Sequence, residues 1–296
     1  MKSNDTYLNI LISFAYAGRN QKFNDLVTSE SEKGNVNLMV DSGAFTLFNS
    51  KKKLDWLTLD NYCKYIDANN HKIEKYVMLD VIGNDHASKN NYETMVQRGY
   101  NPMFVFTMAD TNFNYLKDAR KNNEHICVAG GVTTKGDWTL KRIQDVYKIT
   151  QGKLHGLGFV AYPKMYQLPL HSVDSSSWVQ SSQVYGNLSY FDNGIKALSY
   201  KDVLTRKKRL PIKMQEVLEQ LKITPKMFSN IENHKGAKSI ATITNTLSYI
   251  EYQKYSKRLG VNLFLAIANT GQANTILYIN EKLKKGTLTY EQFKRI

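Results

Sequence analysis

Three aspartates close short apolar runs in this chain: Asp41 in VDSGAF, Asp80 in LDVIGN and Asp174 in SVDSSSW. Between the last two lie two glycine-rich turns, AGGV with Gly130 and Gly131, and HGLGF with His155. Carboxylates in pairs suit the cleavage of glycosidic bonds. One stabilises or traps an oxocarbenium-like centre while a second acid protonates the leaving group. Taken singly, each motif has an ordinary reading, since a strand-end Asp is commonly a cap or turn residue and Gly-Gly a tight turn. Their order and shared placement at strand ends carry the signal.

The elements that must position them read as βα units. Candidate strands are LNILISF (8–14), VNLMVD (36–41), YVMLDVI (76–82), MFVFT (103–107), ICVAG (126–130), LHGLGF (154–159) and LHSVD (170–174). Amphipathic stretches such as LDNYCKYIDAN, NNYETMVQRG, FNYLKDARKN and WTLKRIQDVYKI separate them, as expected of crossovers in a parallel sheet. Seven such strands by residue 174 predict an α/β fold, a TIM-like (β/α)8 barrel lacking its eighth strand. VNLFLAI (261–267) is one candidate for that strand and IKALSY (195–200) the other. A doubly wound sheet is the alternative. In a barrel the C-terminal strand ends share one rim, where barrel enzymes keep their active sites. The end of the first strand, SFAY, would bring Ser13 and Tyr16 to that rim.

Two regions are expected: a barrel core over residues 1–185, and a basic hairpin and helical region over 186–296 that could include the last strand. The chain has 296 residues and a net charge of +14, and residues 201–296 carry 18 Lys and Arg against 7 Asp and Glu. That imbalance points to a polyanion such as nucleic acid, although solvated lysine-rich helices would also produce it. Arg206, Lys207, Lys208 and Arg209 form its densest run and are the expected nucleic-acid contacts. A stripe of Tyr249, Tyr252 and Tyr255 beside Lys254, Lys257 and Arg258 is either helix packing or a stacking face.

Other chemistry is poorly supported. No P-loop or dinucleotide fingerprint is present. The two cysteines, Cys63 and Cys127, suggest neither a disulfide framework nor a Cys-rich zinc site. No apolar run approaches the roughly 20 residues that span a bilayer, and the N-terminus lacks a signal-peptide cleavage site. A cytoplasmic protein without membrane contact is expected. Asp41, Asp80 and His155 could form a metal cluster, but no HxxxH-like spacing supports it. Asp85 and His86 read as caps of the following helix, and His171 as a structural histidine.

The ordered series DSGAF, LDVIG, AGGV, HGLG and SVDSSSW resembles the tRNA-guanine transglycosylase superfamily over roughly residues 7–178. It is most similar to the shorter branch that inserts 7-deazaguanine bases into DNA in phages and bacteria. The resemblance implies that Asp174 is the nucleophile at the anomeric carbon and Asp41 the general acid and base. It implies that Asp80 accepts hydrogen bonds from guanine and that Phe45 stacks on the base. Ser42 and Gly43 belong to the same base-binding turn, Gly130 and Gly131 admit backbone amides to the base edge, and His155 approaches its other side. DNA would be the polymer partner, with tRNA the alternative, and a free 7-deazaguanine such as 7-cyano-7-deazaguanine the incoming base. The tRNA enzymes hold a structural zinc through a cysteine cluster; here no cysteine follows Cys127, so neither zinc nor another cofactor is expected. Thr107 and Met108 stand where those enzymes carry a base-reading glutamine. A hydrolytic glycosylase and a non-catalytic nucleic-acid-binding barrel are the remaining alternatives.

Overall fold

A computed structural model describes residues 8–51, 54–107, 113–129, 136–159, 164–183, 185–234 and 236–296. The chain divides into two compact units, one of residues 1–175 with 259–269, the other of residues 176–258 with 270–296.

The first unit is built on an eight-stranded, all-parallel, curled sheet. Its strands are β1 (Leu8–Ser13), β2 (Val36–Asp41), β3 (Lys75–Tyr76), β4 (Phe104–Thr107), β5 (His125–Ala129), β6 (Lys153–Gly156) and β7 (Leu170–Ser175). The eighth is β10 (Asn262–Ile267); β8 (Asn187–Phe191) and β9 (Ile195–Ser199) belong to the second unit. The order is β3-β2-β1-β10-β7-β6-β5-β4. The two ends of this order also meet. Val77 bridges Met103 in parallel, Met103 N–H donates to Tyr76 O at 2.9 Å and Met78 N–H to Met103 O at 3.0 Å. This arrangement is compatible with a TIM-like fold. Strands covered on both faces read as continuous apolar runs, and all six residues of β1 are buried accordingly.

Of the two candidates for the eighth strand, NLFLAI lies between β1 and β7, parallel to both. The other, over 195–199, pairs antiparallel with Asn187–Phe191 in a separate two-stranded sheet. The reason is visible in their patterning: Leu263, Phe264, Leu265 and Ile267 are buried, whereas Lys196 and Ala197 are exposed and leave that strand only one apolar face. The third strand is shorter than the sequence pattern implied. Beyond Val77 the Leu79 carbonyl accepts from the Asn91 side chain, and the Val81 N–H donates to the Ser88 hydroxyl. Side chains have replaced the ladder, so Asp80 sits on a loop just past the strand.

The second unit begins ten residues earlier than the sequence boundary at 185/186, because the helix Ser177–Gln183 packs on the helix Ile240–Arg258. That long helix is buried along most of its length despite its Ser, Thr and Asn content. The polar groups are satisfied locally. Thr244, Thr246 and Ser248 hydroxyls donate to carbonyls one turn back, and Asn245 bonds Ser189 N and Asn187 O of the hairpin. Tyr249 and Tyr252 are buried within it, so the tyrosine stripe is packing rather than a free stacking face. No helix among the described residues is long and apolar enough to cross a membrane.

Candidate functional site

Asp41 is the last residue of β2 and pairs in register with Ser13 at the end of β1. The turn after it bends sharply. Gly43 has φ +89°, and its N–H donates to Asp41 Oδ2 at 3.0 Å. A Cβ at Gly43 would stand 2.7 Å from Ala15 Cβ, so the third residue of DSG must be glycine for the turn to close. The Ser13 hydroxyl also hydrogen-bonds Asp41. Ser42 is fully buried and its Oγ has no hydrogen-bond partner among the described residues.

Asp174 lies near the end of β7, its side chain largely shielded from solvent. Gly158 N–H donates to Asp174 Oδ1 at 2.7 Å. His155, on the neighbouring β6, places Nε2 at 3.4 Å from the same oxygen and Nδ1 at 2.8 Å from Ser172 Oγ. The ladder explains this arrangement. Cys127, His155 and Ser172 lie at one level across β5, β6 and β7. Asp174 stands two residues past Ser172 on the same face of its strand. Phe264, paired with Asp174 in register, sets its ring edge-on to His155 at 6.1 Å.

The three carboxylates converge. Burial pushes Asp41 above the ordinary range, and the nearby charge of Asp174 adds to it; bonds from Gly43 and Ser13 and the charge of His155 oppose the shift. Asp80 is pushed up to about 7, first by burial and then by the charge of Asp41. Cys127 feels the charges of Asp41, Asp174 and Asp80 together, and with its own burial this holds the thiol protonated. Three acids on β2, after β3 and on β7 therefore share one electrostatic environment at the C-terminal end of the sheet. Like charges near one another favour keeping at least one proton in the set.

Other expected residues fall elsewhere. Phe45 is exposed on the short helix after the DSG turn. Gly130, Gly131 and Met108 lie outside the described residues. Thr107 ends β4. The cap of the helix Asp85–Gln97 is Asn84, whose side chain accepts from Ala87 N, so Asp85 and His86 follow the cap rather than form it. His171 sits near the start of β7 with its ring against His125 at 5.7 Å, a packing contact away from Asp174. Arg206 to Arg209 are all exposed in the second unit, with Lys208 3.5 Å from Asp202. Cys63 and Cys127 are free and buried. Among the described residues no group of three His, Cys, Asp or Glu side chains is placed to hold a metal ion.

Ser172 and Cys127 were not singled out by their motifs. Strand alternation could have found Ser172, two residues before Asp174, while Cys127 is visible only once β5 is laid beside β6. Compared with known proteins, the chain matches no family model and no curated protein.

Proposed function

We propose that this protein is a transglycosylase that exchanges guanine in DNA for a 7-deazaguanine base through a covalent aspartyl-glycosyl intermediate, on a TIM-like (β/α)8 barrel. The observation that carries this reading is the convergence of Asp41, Asp80 and Asp174 at one end of the sheet, with Asp41 and Asp80 both displaced toward the protonated form. In the first half-reaction an Asp174 carboxylate oxygen bonds to C1′ of the nucleotide as the C1′–N9 bond breaks. The bonding pair leaves with guanine, and the Asp41 proton passes to the departing base. In the second half, Asp41 takes the N9 proton of the incoming base. That nitrogen then bonds to C1′ and the Asp174 ester bond breaks. Proton and electrons balance over the cycle, so the exchange as written calls for no redox partner.

Asp80, at about 7, is partly ionised near neutrality and suits hydrogen bonds from the ring N–H and exocyclic amine of guanine. A base inside a duplex must be extruded before C1′ can be attacked. The exposed run Arg206 to Arg209 fits a phosphate backbone, and this chemistry belongs in the cytoplasm, where phage or bacterial DNA is found. The test is a base-exchange assay with radiolabelled guanine or 7-cyano-7-deazaguanine, offered duplex DNA and tRNA in parallel to the wild type and Asp174→Ala. Label should enter DNA only, and only with Asp174 present. Label entering tRNA alone would reassign the polymer. Release of free guanine without incorporation would reassign the reaction to hydrolysis.

A further inference from the structure

We infer that the helix Ala44–Asn49, together with Tyr16, is a stacking platform for a single-stranded DNA segment beside the exchanged nucleotide; this rests on the reading proposed above. The helix begins directly after the Asp41-Ser42-Gly43 turn and buries only Ala44. Phe45 is 72% exposed, Phe48 63% and Leu47 37%, and the adjoining helix Phe14–Ala17 presents Tyr16 at 44%. The core does not need these rings. Phe14 fills that role, packed against Trp56, Tyr62 and Tyr65 at 5.2 to 5.3 Å between ring centres. A six-residue helix that turns three large apolar side chains to water costs stability unless something covers them.

Charge identifies the occupant. Between Phe14 and Asn24, and between Ser42 and Lys51, the only charged side chains are Arg19, Lys22 and Lys51, and all three are exposed. Arg19 lies over the Trp56 ring at 4.6 Å, and all three cations belong to segments that directly follow the helices carrying the exposed rings. Aromatic faces accompanied by cations suit unstacked bases on a phosphate backbone. Paired duplex bases hide their faces and gain little from such a surface. Chemistry on a base needs single-stranded or locally opened DNA, and an opened strand is the state this platform would hold, a few residues from Asp41.

The test is fluorescence anisotropy with a labelled single-stranded oligodeoxynucleotide and the matching duplex, using wild type, the double variant Tyr16→Ala/Phe48→Ala, and Phe48→Trp. Wild type should prefer the single strand. The double variant should lose about tenfold or more of that affinity with little change toward duplex, while Phe48→Trp keeps it. These side chains are exposed, so thermal melts should be unchanged and show that folding is intact. In the exchange assay the double variant should raise KM for DNA and leave kcat near wild type. Equal single-strand affinity in all three proteins overturns the platform, and if Asp174-dependent exchange persists it leaves the transglycosylase reading standing. Aromatic-dependent single-strand binding without any exchange retains the platform and removes the reading on which it was built. Self-association or binding to anionic vesicles that the double variant abolishes, with single-strand binding unaffected, would assign the surface to another occupant and overturn the proposal.

Discussion

At the residue scale, the two acids assigned to bond making and proton transfer are held differently. Asp41 receives Gly43 N–H on Oδ2 and the Ser13 hydroxyl, inside a setting whose burial favours its protonated form. Asp174 is held at Oδ1 by Gly158 N–H, with His155 Nε2 beside the same oxygen. Ser172 holds the His155 ring from the other nitrogen, so on the proposed reading His155 positions Asp174. Misplacing a reacting group by about 1 Å can cost on the order of 100-fold. His155→Asn should accordingly lower kcat about 10- to 100-fold with KM for the incoming base near wild type. Steady-state kinetics with varied base would decide this; a raised KM at unchanged kcat would return His155 to base contact. The aspartates themselves were legible in the sequence because each ends an apolar run. The approach of His155 to Asp174 was not, because it depends on the lateral register of β6 on β7, which one sequence does not contain.

At the element scale, the DSG turn sets where the acid sits. Gly43 and Gly83 both have positive φ, +89° and +83°, but a Cβ at Gly43 would meet Ala15 while one at Gly83 would meet nothing within 4 Å. A left-handed conformation costs a non-glycine residue about 1–2 kcal/mol, and the clash adds to it only at Gly43. Gly43→Ala should therefore depress Tm by more than Gly83→Ala and displace Asp41 as well, reducing exchange. Equal losses in thermal melts and equal activity would show that the close approach of the two turns is unimportant. Most strands were legible from their continuous apolar runs, and so was the 187–199 hairpin from its alternation. The third strand was overread, because LDVI is as apolar as a strand while Asn91 and Ser88 draw its backbone out of the ladder. The eighth strand lies after an 86-residue excursion from β7, so patterning could nominate it but not choose it.

At the scale of the whole molecule, titration and chemistry both follow from burial. Burial lowers His125 and His234 to about 4, and lowers His171 as well; Lys75 and Lys153 add to the shift at His125 and His171, while Glu124 opposes it. Below the ordinary histidine value the unfolded chain takes up protons that the folded chain refuses. The contribution of these groups is thus complete above pH 6.5 and lost as pH falls toward about 4. Asp80 and Asp41 work in the opposite sense, since a raised carboxylate costs stability as pH rises through its window. Glu251, raised by burial, works with the two aspartates, so the histidine contribution is isolated by substitution: Tm should lose less between pH 6.5 and 4.5 in His125→Gln than in the wild type. Identical profiles in the two proteins would contradict the burial of that ring. The central claim is that Asp174 carries the sugar between two bases, and trapping that ester tests it most directly. The protein would be incubated with a guanine-containing oligodeoxynucleotide without incoming base, denatured, digested and mapped by mass spectrometry. A deoxyribosyl adduct on the peptide containing Asp174, absent in Asp174→Asn and discharged by added 7-cyano-7-deazaguanine, is the expected result. Base exchange that proceeds without an adduct, or with one on another residue, would contradict it.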